Sequence, residues 1–263
     1  MPRRRAALAL LLGLSARSLM AQTGPLSTEP ALTAPAGSLV FETGGDYIRS
    51  EPNFLTGQVR DRWQAPLLRL VYSPSGNVEM DLEWVGRVGA IDDPDFGSVS
   101  DFGDVTLRAK LRFVEGGPGR PTLAARFGVT LPQTSFGNGL GPNTLRTSAQ
   151  LLLSQPIGSA LIHANAGLGL QDEVLRPHEQ RDFLVYGLAI TGAPDRHWEP
   201  VLEVAGRAGK GSPGAEARTE ARLGFRCHAR RVIWNAALRR GLAEADGTWG
   251  FTAGLTVLVR AGR

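Results

Sequence analysis

The chain of 263 residues holds one cysteine, Cys227, so no intramolecular disulfide can brace it and stability must come from backbone pairing and packing. Long apolar runs are missing as well. Past the N-terminus nothing approaches the ~20 apolar residues of a spanning helix, which excludes a helical membrane protein. Lysine is scarce: Lys110 and Lys210 are the two among 29 basic residues, and arginine sets the sequence pI of about 9.8. Those arginines fall at scattered alternate positions rather than in one basic patch, which argues against a nucleic-acid partner. Gly-x-Ser-x-Gly, His-Glu-x-x-His, a phosphate-binding glycine loop and metal-spaced cysteines are all absent. The expectation is therefore a protein that is not an enzyme and carries no cofactor and no metal.

What is present begins with an export signal. Arg3, Arg4 and Arg5 precede the apolar stretch Ala6 to Leu14, and Ala21 offers a cleavage position, so residues 1–21 read as a signal peptide. Residues 22–37, rich in Pro, Thr, Ala and Ser, read as a flexible lead-in on the periplasmic side. Residues 38–263 form the remaining unit. Its hydrophobic content of 42% and mean hydropathy of −0.10 suit a soluble protein on average. They also suit a membrane barrel, whose lipid-facing residues are diluted one in two by polar neighbours.

Period-two alternation runs from residue 38 to the end. Val78, Met80, Leu82 and Trp84 oppose Glu79, Asp81 and Glu83. Val105, Leu107, Ala109, Leu111 and Phe113 oppose Asp104, Thr106, Arg108, Lys110 and Arg112. Twelve such segments fall near 38–48, 62–72, 77–87, 103–114, 121–132, 144–155, 159–170, 182–192, 198–208, 214–227, 231–240 and 248–260. The 62–72 segment is irregular, because Pro66 interrupts it and Trp63 is out of phase with Leu68, Leu70 and Tyr72. Short connections with turn chemistry, such as Ser73-Pro74-Ser75-Gly76, alternate with long ones at 49–61, 88–102, 133–143 and 171–181. That rhythm predicts an all-β, transmembrane, antiparallel up-and-down barrel of about twelve strands, lying in the outer membrane of a Gram-negative bacterium.

A soluble sandwich or barrel alternates equally well with its apolar face inward, so alternation by itself leaves both readings open. Two further features favour the membrane. The polar face carries long ladders of both charge signs, and Tyr47, Tyr72, Phe113, Trp198, Phe225 and Trp249 gather toward strand ends, where aromatic rings meet headgroups. The expected lumen-lining set is Glu79, Asp81, Glu83, Arg108, Lys110, Arg112, Arg126, Glu203, Arg207, Glu216, Arg218, Glu220, Arg222 and Arg226. These residues suit either a charged constriction that selects solutes or a salt-bridge network that solvates the interior.

The segment Gly103-Asp104-Val105-Thr106-Leu107-Arg108-Ala109-Lys110-Leu111-Arg112-Phe113 resembles a strand of the outer-membrane β-barrels labelled phenol-degradation meta-pathway (MetA-pathway) proteins or transporters. The Leu131-Pro132 pair, the loop Ser135 to Gly141 and the glycine-alternating Ala164 to Leu170 extend the resemblance over residues 100–175. Gln133-Thr134 departs from the usual Thr-Gly, and the chain ends on Val259-Arg260-Ala261-Gly262-Arg263 without the terminal aromatic that commonly marks strands for outer-membrane assembly. The resemblance implies a channel for small, often aromatic, organic molecules, with outer-membrane lipid and the solute as partners. The alternatives are a structural or adhesive outer-membrane barrel without transport, and a soluble periplasmic ligand-binding β-protein. The oligomeric state is not legible.

Two weaker constellations remain. His163 and Asn165 share a face near Ser148 and Ser154, the ingredients of a membrane esterase, although polar lumen lining explains them more simply. Asp92, Asp93, Asp95 and Asp101 crowd one long connection, an oxygen-rich loop that reads as turn chemistry ahead of a calcium site.

Overall fold

A computed structural model of the protein describes residues 24–117, 119–176, 178–192, 197–229 and 232–260. The predicted signal peptide, residues 1–21, lies outside them. Fourteen strands follow in order: β1 (Ser38–Pro52), β2 (Val59–Ser75), β3 (Val78–Val85), β4 (Val88–Asp93), β5 (Gly97–Asp101), β6 (Val105–Val114) and β7 (Thr122–Leu131). The second seven are β8 (Arg146–Ile157), β9 (Ala160–Asp172), β10 (Gln180–Gly192), β11 (Trp198–Ala208), β12 (Arg218–Ala229), β13 (Val232–Gly241) and β14 (Trp249–Arg260).

Every pairing is antiparallel, and β1 bonds to β14 on one side and to β2 on the other, which closes the sheet. Twelve strands make the wall. The remaining two, β4 and β5, form a hairpin whose first strand continues along β2 past the end of β3. The sequence pattern predicts a plain connection over residues 88–102. Six- and five-residue strands holding Gly89, Asp92 and Gly97 and joined by a turn at Pro94 are too short and too broken to show alternation.

The choice between a membrane barrel and its soluble twin is decided by which face is exposed. Leu151, Leu168, Leu223, Leu238, Phe127 and Trp234 are each 55–65% exposed on the outer surface. Lys110, Glu203, Glu79 and Asp81 are buried inside it. A water-soluble protein arranges these the other way round, because burying apolar area contributes roughly 25 cal/mol per Å². A wall of exposed leucine, phenylalanine and tryptophan around a charged interior is stable only where hydrocarbon surrounds it.

The irregularity at Trp63 has a local cause. Gly44 faces Leu67 and Asp46 faces Gln64, so three steps of β2 match two of β1. This bulge shifts the phase by one residue and returns Trp63 to the outer face, opposite Tyr47. The sequence-based phase rule assumes an unbroken ladder, and Pro66, which has no N–H to donate, marks the break.

Residues 24–37 occupy the lumen. Leu26 packs on Ala189 and Val201, and Ala31 packs on Ala124 and Leu152. The expected lead-in on the periplasmic side is thus corrected: the segment turns back at Pro35 to Ser38 (Ser38 N–H to the Pro35 carbonyl, 3.1 Å) and lies inside the wall. Pro25, Pro30 and Pro35 keep it from pairing as a strand, so its backbone groups must find side-chain partners, and the polar inner face supplies them.

Candidate functional site

The inner face divides into two halves along the barrel axis. At the entry end, where Ser38 opens β1, the lumen is filled by residues 24–37. The N–H groups of Ser27 and Thr28 both donate to the Glu203 carboxylate, the first at 2.9 Å. Asn165 brackets Glu29, its amide nitrogen donating to the Glu29 carbonyl at 2.9 Å and its oxygen accepting the Glu29 N–H at 2.8 Å. Ala31 N–H donates to Ser154 Oγ (2.8 Å) and Ala34 N–H to Glu79 (2.7 Å). In the other direction Arg226 and Arg222 donate to the carbonyls of Gly24 and Pro25, both at 2.7 Å. Lys110 donates to the carbonyls of Pro30 and Leu32. The Glu29 side chain carries the one charge of the segment and meets three cations: Lys110 at 2.9 Å, Arg69 at 3.3 Å and Arg126 at 3.3 Å. The backbone of the segment is thereby held on both its donors and its acceptors.

The expected ladder residues fall as follows. Glu79, Asp81 and Glu83 project from β3 toward Lys110 and Arg108 of β6. Lys110 contacts Glu79, while Arg108 bonds Asp81 and Glu83 at 3.0 Å each. Arg126 of β7 reaches Glu29 and Asp81. From β11 and β12, Glu203 sits near Arg222 (3.7 Å), Arg222 bonds Glu220 (3.1 Å), and Arg226 bonds Glu199 (2.8 Å). Three members stand apart. Arg112 donates to the Gly76 carbonyl at the entry rim. Glu216 lies in the loop before β12 rather than on the strand expected at 214–227, and accepts from the Gly214 N–H. Arg207 faces the open half described next.

Above the filled segment is a cavity of about 600 Å³ with Ser27 and Thr28 among its lining residues. Arginines crowd its wall: Arg60, Arg62, Arg108, Arg126, Arg146, Arg207, Arg218, Arg222 and Arg239. Five carboxylates accompany them, Glu51, Glu83, Asp104, Glu216 and Glu220. Glu51 serves Arg62 and Arg218 together, and Asp104 takes Arg146. Sequence reasoning missed Glu51, Arg60, Arg62, Arg146 and Arg239, which sit near strand ends, where alternation fades. A second cavity of about 310 Å³ runs beside the filled segment against β1, β2, β13 and β14. It has Ser27, Gln64, Glu83, Val85, Arg108, Arg126 and Arg222 in common with the first, so the two spaces meet alongside the segment.

The far mouth is narrowed by the 132–145 loop. Arg60 donates to the carbonyls of Asn138 (2.9 Å) and Gly139, and Leu140 is buried against Val88 and Ala90 of β4. Gly139 adopts φ +68°, and a Cβ there would stand 2.0 Å from Asn53 Oδ1, so the loop can lie this close only with glycine. Arg60 also bonds Asp93 at 2.8 Å. Burial pushes the Asp93 carboxyl up, but N–H donors from Asp95 and Phe96, the Asn53 amide and Arg60 outweigh it and hold the group below the ordinary aspartate range. Its oxygens are thus committed to protein donors. Asp92 and Asp95 are exposed, Asp101 accepts the Ser135 N–H, and among the described residues no His, Cys, Asp and Glu group is placed to hold a metal ion.

Ser154 Oγ and His163 Nδ1 are 2.8 Å apart, the spacing of a nucleophile and its base. Both are buried on the lumen side beneath residues 24–37, and Ser154 Oγ already accepts the Ala31 N–H. Asn165 is committed to Glu29. The trio anchors the filling segment.

No protein-family model matches the chain, and no curated protein does. Solved structures share its shape. The COG4313 outer membrane channel from Pseudomonas putida F1 superimposes with a TM-score of 0.67 at 15% identity, over 90% of this chain and 99% of that one. The β domain of the Bordetella autotransporter BrkA gives 0.52 at 13% identity, over 85% and 99%. The translocator domain of the autotransporter NalP from Neisseria meningitidis gives 0.51 at 13%, over 97% of both chains. At such identities the likeness speaks for the fold, a closed antiparallel twelve-stranded barrel of the outer-membrane kind.

Proposed function

We propose that the chain is an outer-membrane channel for passive passage of small organic molecules, its entry end in the periplasm and its arginine-lined mouth outside the cell. The observation that carries this reading is the pair of adjoining cavities, which leave space beside the filling segment along β1, β2 and β14. A barrel built only to anchor or adhere needs no such space. The structural neighbour described as an outer membrane channel supports the same reading, as does the resemblance of residues 100–175 to barrels associated with aromatic compounds. The charged inner face then acts as the constriction, and no catalytic step is required.

Single-channel recording of the purified full chain in planar bilayers tests the proposal. Discrete conductance steps are expected, together with a heat-dependent gel shift and recovery in the outer-membrane fraction. A folded barrel that stays silent at all voltages would favour the second reading, a structural or adhesive barrel whose lumen residues 24–37 close completely.

A further inference from the structure

One arginine in the lining of the far cavity differs from the rest. Arg60, Arg62, Arg108, Arg126, Arg146, Arg218, Arg222 and Arg239 each stand within 4 Å of a carboxylate. Arg207 has no such partner among the described residues. Its Nε donates to the Glu216 carbonyl at 2.8 Å and its Nη1 to Gln171 Oε1 at 3.3 Å, both neutral acceptors. Gln171 is itself fully buried and fixed by a bond to the Gly214 carbonyl, so the guanidinium is held in place on one edge. Arg218 and Arg146 repel it, while Glu216 and Asp246, both beyond salt-bridge contact, offset part of that repulsion. The cavity lining as a whole carries nine arginines and five carboxylates, so its face is net positive.

The same spot offers an aromatic wall. Phe183 of β10 lies against Arg207, with the guanidinium carbon 5.2 Å from the ring centroid. Its cross-strand partner is Gly169, where a Cβ would come within 2.2 Å of the ring. Glycine therefore makes room for the ring on the lumen side, and Val185 lines the cavity beside it. A fixed guanidinium with no carboxylate in contact, next to an aromatic face, is the complement of a small molecule with a carboxylate at one end and an apolar body at the other.

We infer that the far cavity binds a small organic carboxylate, its charge on Arg207 with Arg146 and Arg218 close by, and its apolar body along Phe183 and Val185. The inference deepens the channel reading by naming the solute class, but binding is measurable without transport.

Benzoate is the probe, and saturation-transfer NMR on the detergent-solubilised full chain is the readout. Benzoate is expected to bind saturably and at least tenfold more tightly than benzyl alcohol, with affinity falling as salt rises. Arg207→Gln should weaken benzoate at least tenfold and leave benzyl alcohol unchanged, the gel shift confirming a folded barrel. Phe183→Leu, which keeps the volume apolar, should weaken benzoate but not acetate. Equal binding of benzoate and benzyl alcohol, displacement of benzoate by equimolar chloride, or a folded Arg207→Gln barrel with unchanged affinity would each overturn the assignment. A barrel that binds benzoate but never conducts keeps this site and removes the channel reading. One that conducts without binding benzoate does the reverse.

Discussion

The two halves of the lumen use the same residue types to opposite ends. At the entry end every cation is answered: Lys110 by Glu29 and Glu79, Arg69 by Glu29, Glu42 and Asp81, Arg226 by Glu199. The surplus donors and acceptors there are consumed by the backbone of residues 24–37. At the far end two arginines share Glu51, Arg207 has no carboxylate within 4 Å among the described residues, and the space between them is open. A charge-matched interior can be filled by a neutral peptide backbone. A charge-mismatched one leaves an electrostatic demand that a solute can meet. The difference lies in stoichiometry, not in composition.

Removing residues 24–37 should have the largest effect on this contrast. The barrel should still close, since the β1–β14 and β1–β2 ladders do not involve the segment, and the recorded conductance should rise severalfold and lose its fast closures. Unchanged conductance would show that the segment does not obstruct. Next in size is Glu29→Gln, which takes one carboxylate from a buried cluster of three cations. Breaking a buried pair costs about 3–5 kcal/mol, so a spin label at Thr33 should change from immobile to mobile while the wall stays folded. Arg146→Gln at the far end should be milder for stability, about 1 kcal/mol, because the Arg146–Asp104 pair is partly open to solvent. Its mark should be a reversal potential shifted toward cations.

The smallest effect concerns the mouth. The Asp93 carboxyl is held below the ordinary aspartate range, so it stabilises the β4–β5 hairpin fully at pH above about 4 and loses that contribution only as pH falls through its own lower value. Amide exchange at Asp95 and Phe96 should be flat from pH 7 to 5 once corrected for intrinsic rates, and accelerate only below. Acceleration already at pH 5 would remove Asp93 from that role.

Much of the wall was legible because each strand repeats one choice at every second position. Met80, Leu82 and Trp84 against Glu79, Asp81 and Glu83 suffices to draw a strand, and twelve such segments with alternating connections suffice for a barrel. Which side faced lipid was harder, since it depends on exposure rather than order. The filling segment was not legible at all. Its contacts are made by backbone N–H and C=O groups, which every sequence has, and Glu29 alone hints at a buried partner. Phe183 is hard to read for a related reason: its role depends on Gly169 across the ladder, and a glycine in a strand pattern announces a close approach without saying to what.

The segment that fills the lumen is continuous with β1, the strand that seals the ring. Ser27 and Thr28 meet Glu203 at sequence separations of 176 and 175, and Arg226 grips Gly24 at a separation of 202. Such contacts cannot form until β11 and β12 have emerged and curled round, while β1 cannot find β14 until the last strand has arrived. Filling and sealing are therefore late and linked steps of assembly, with most of the chain-closure entropy concentrated in them. The barrel closes around residues 24–37.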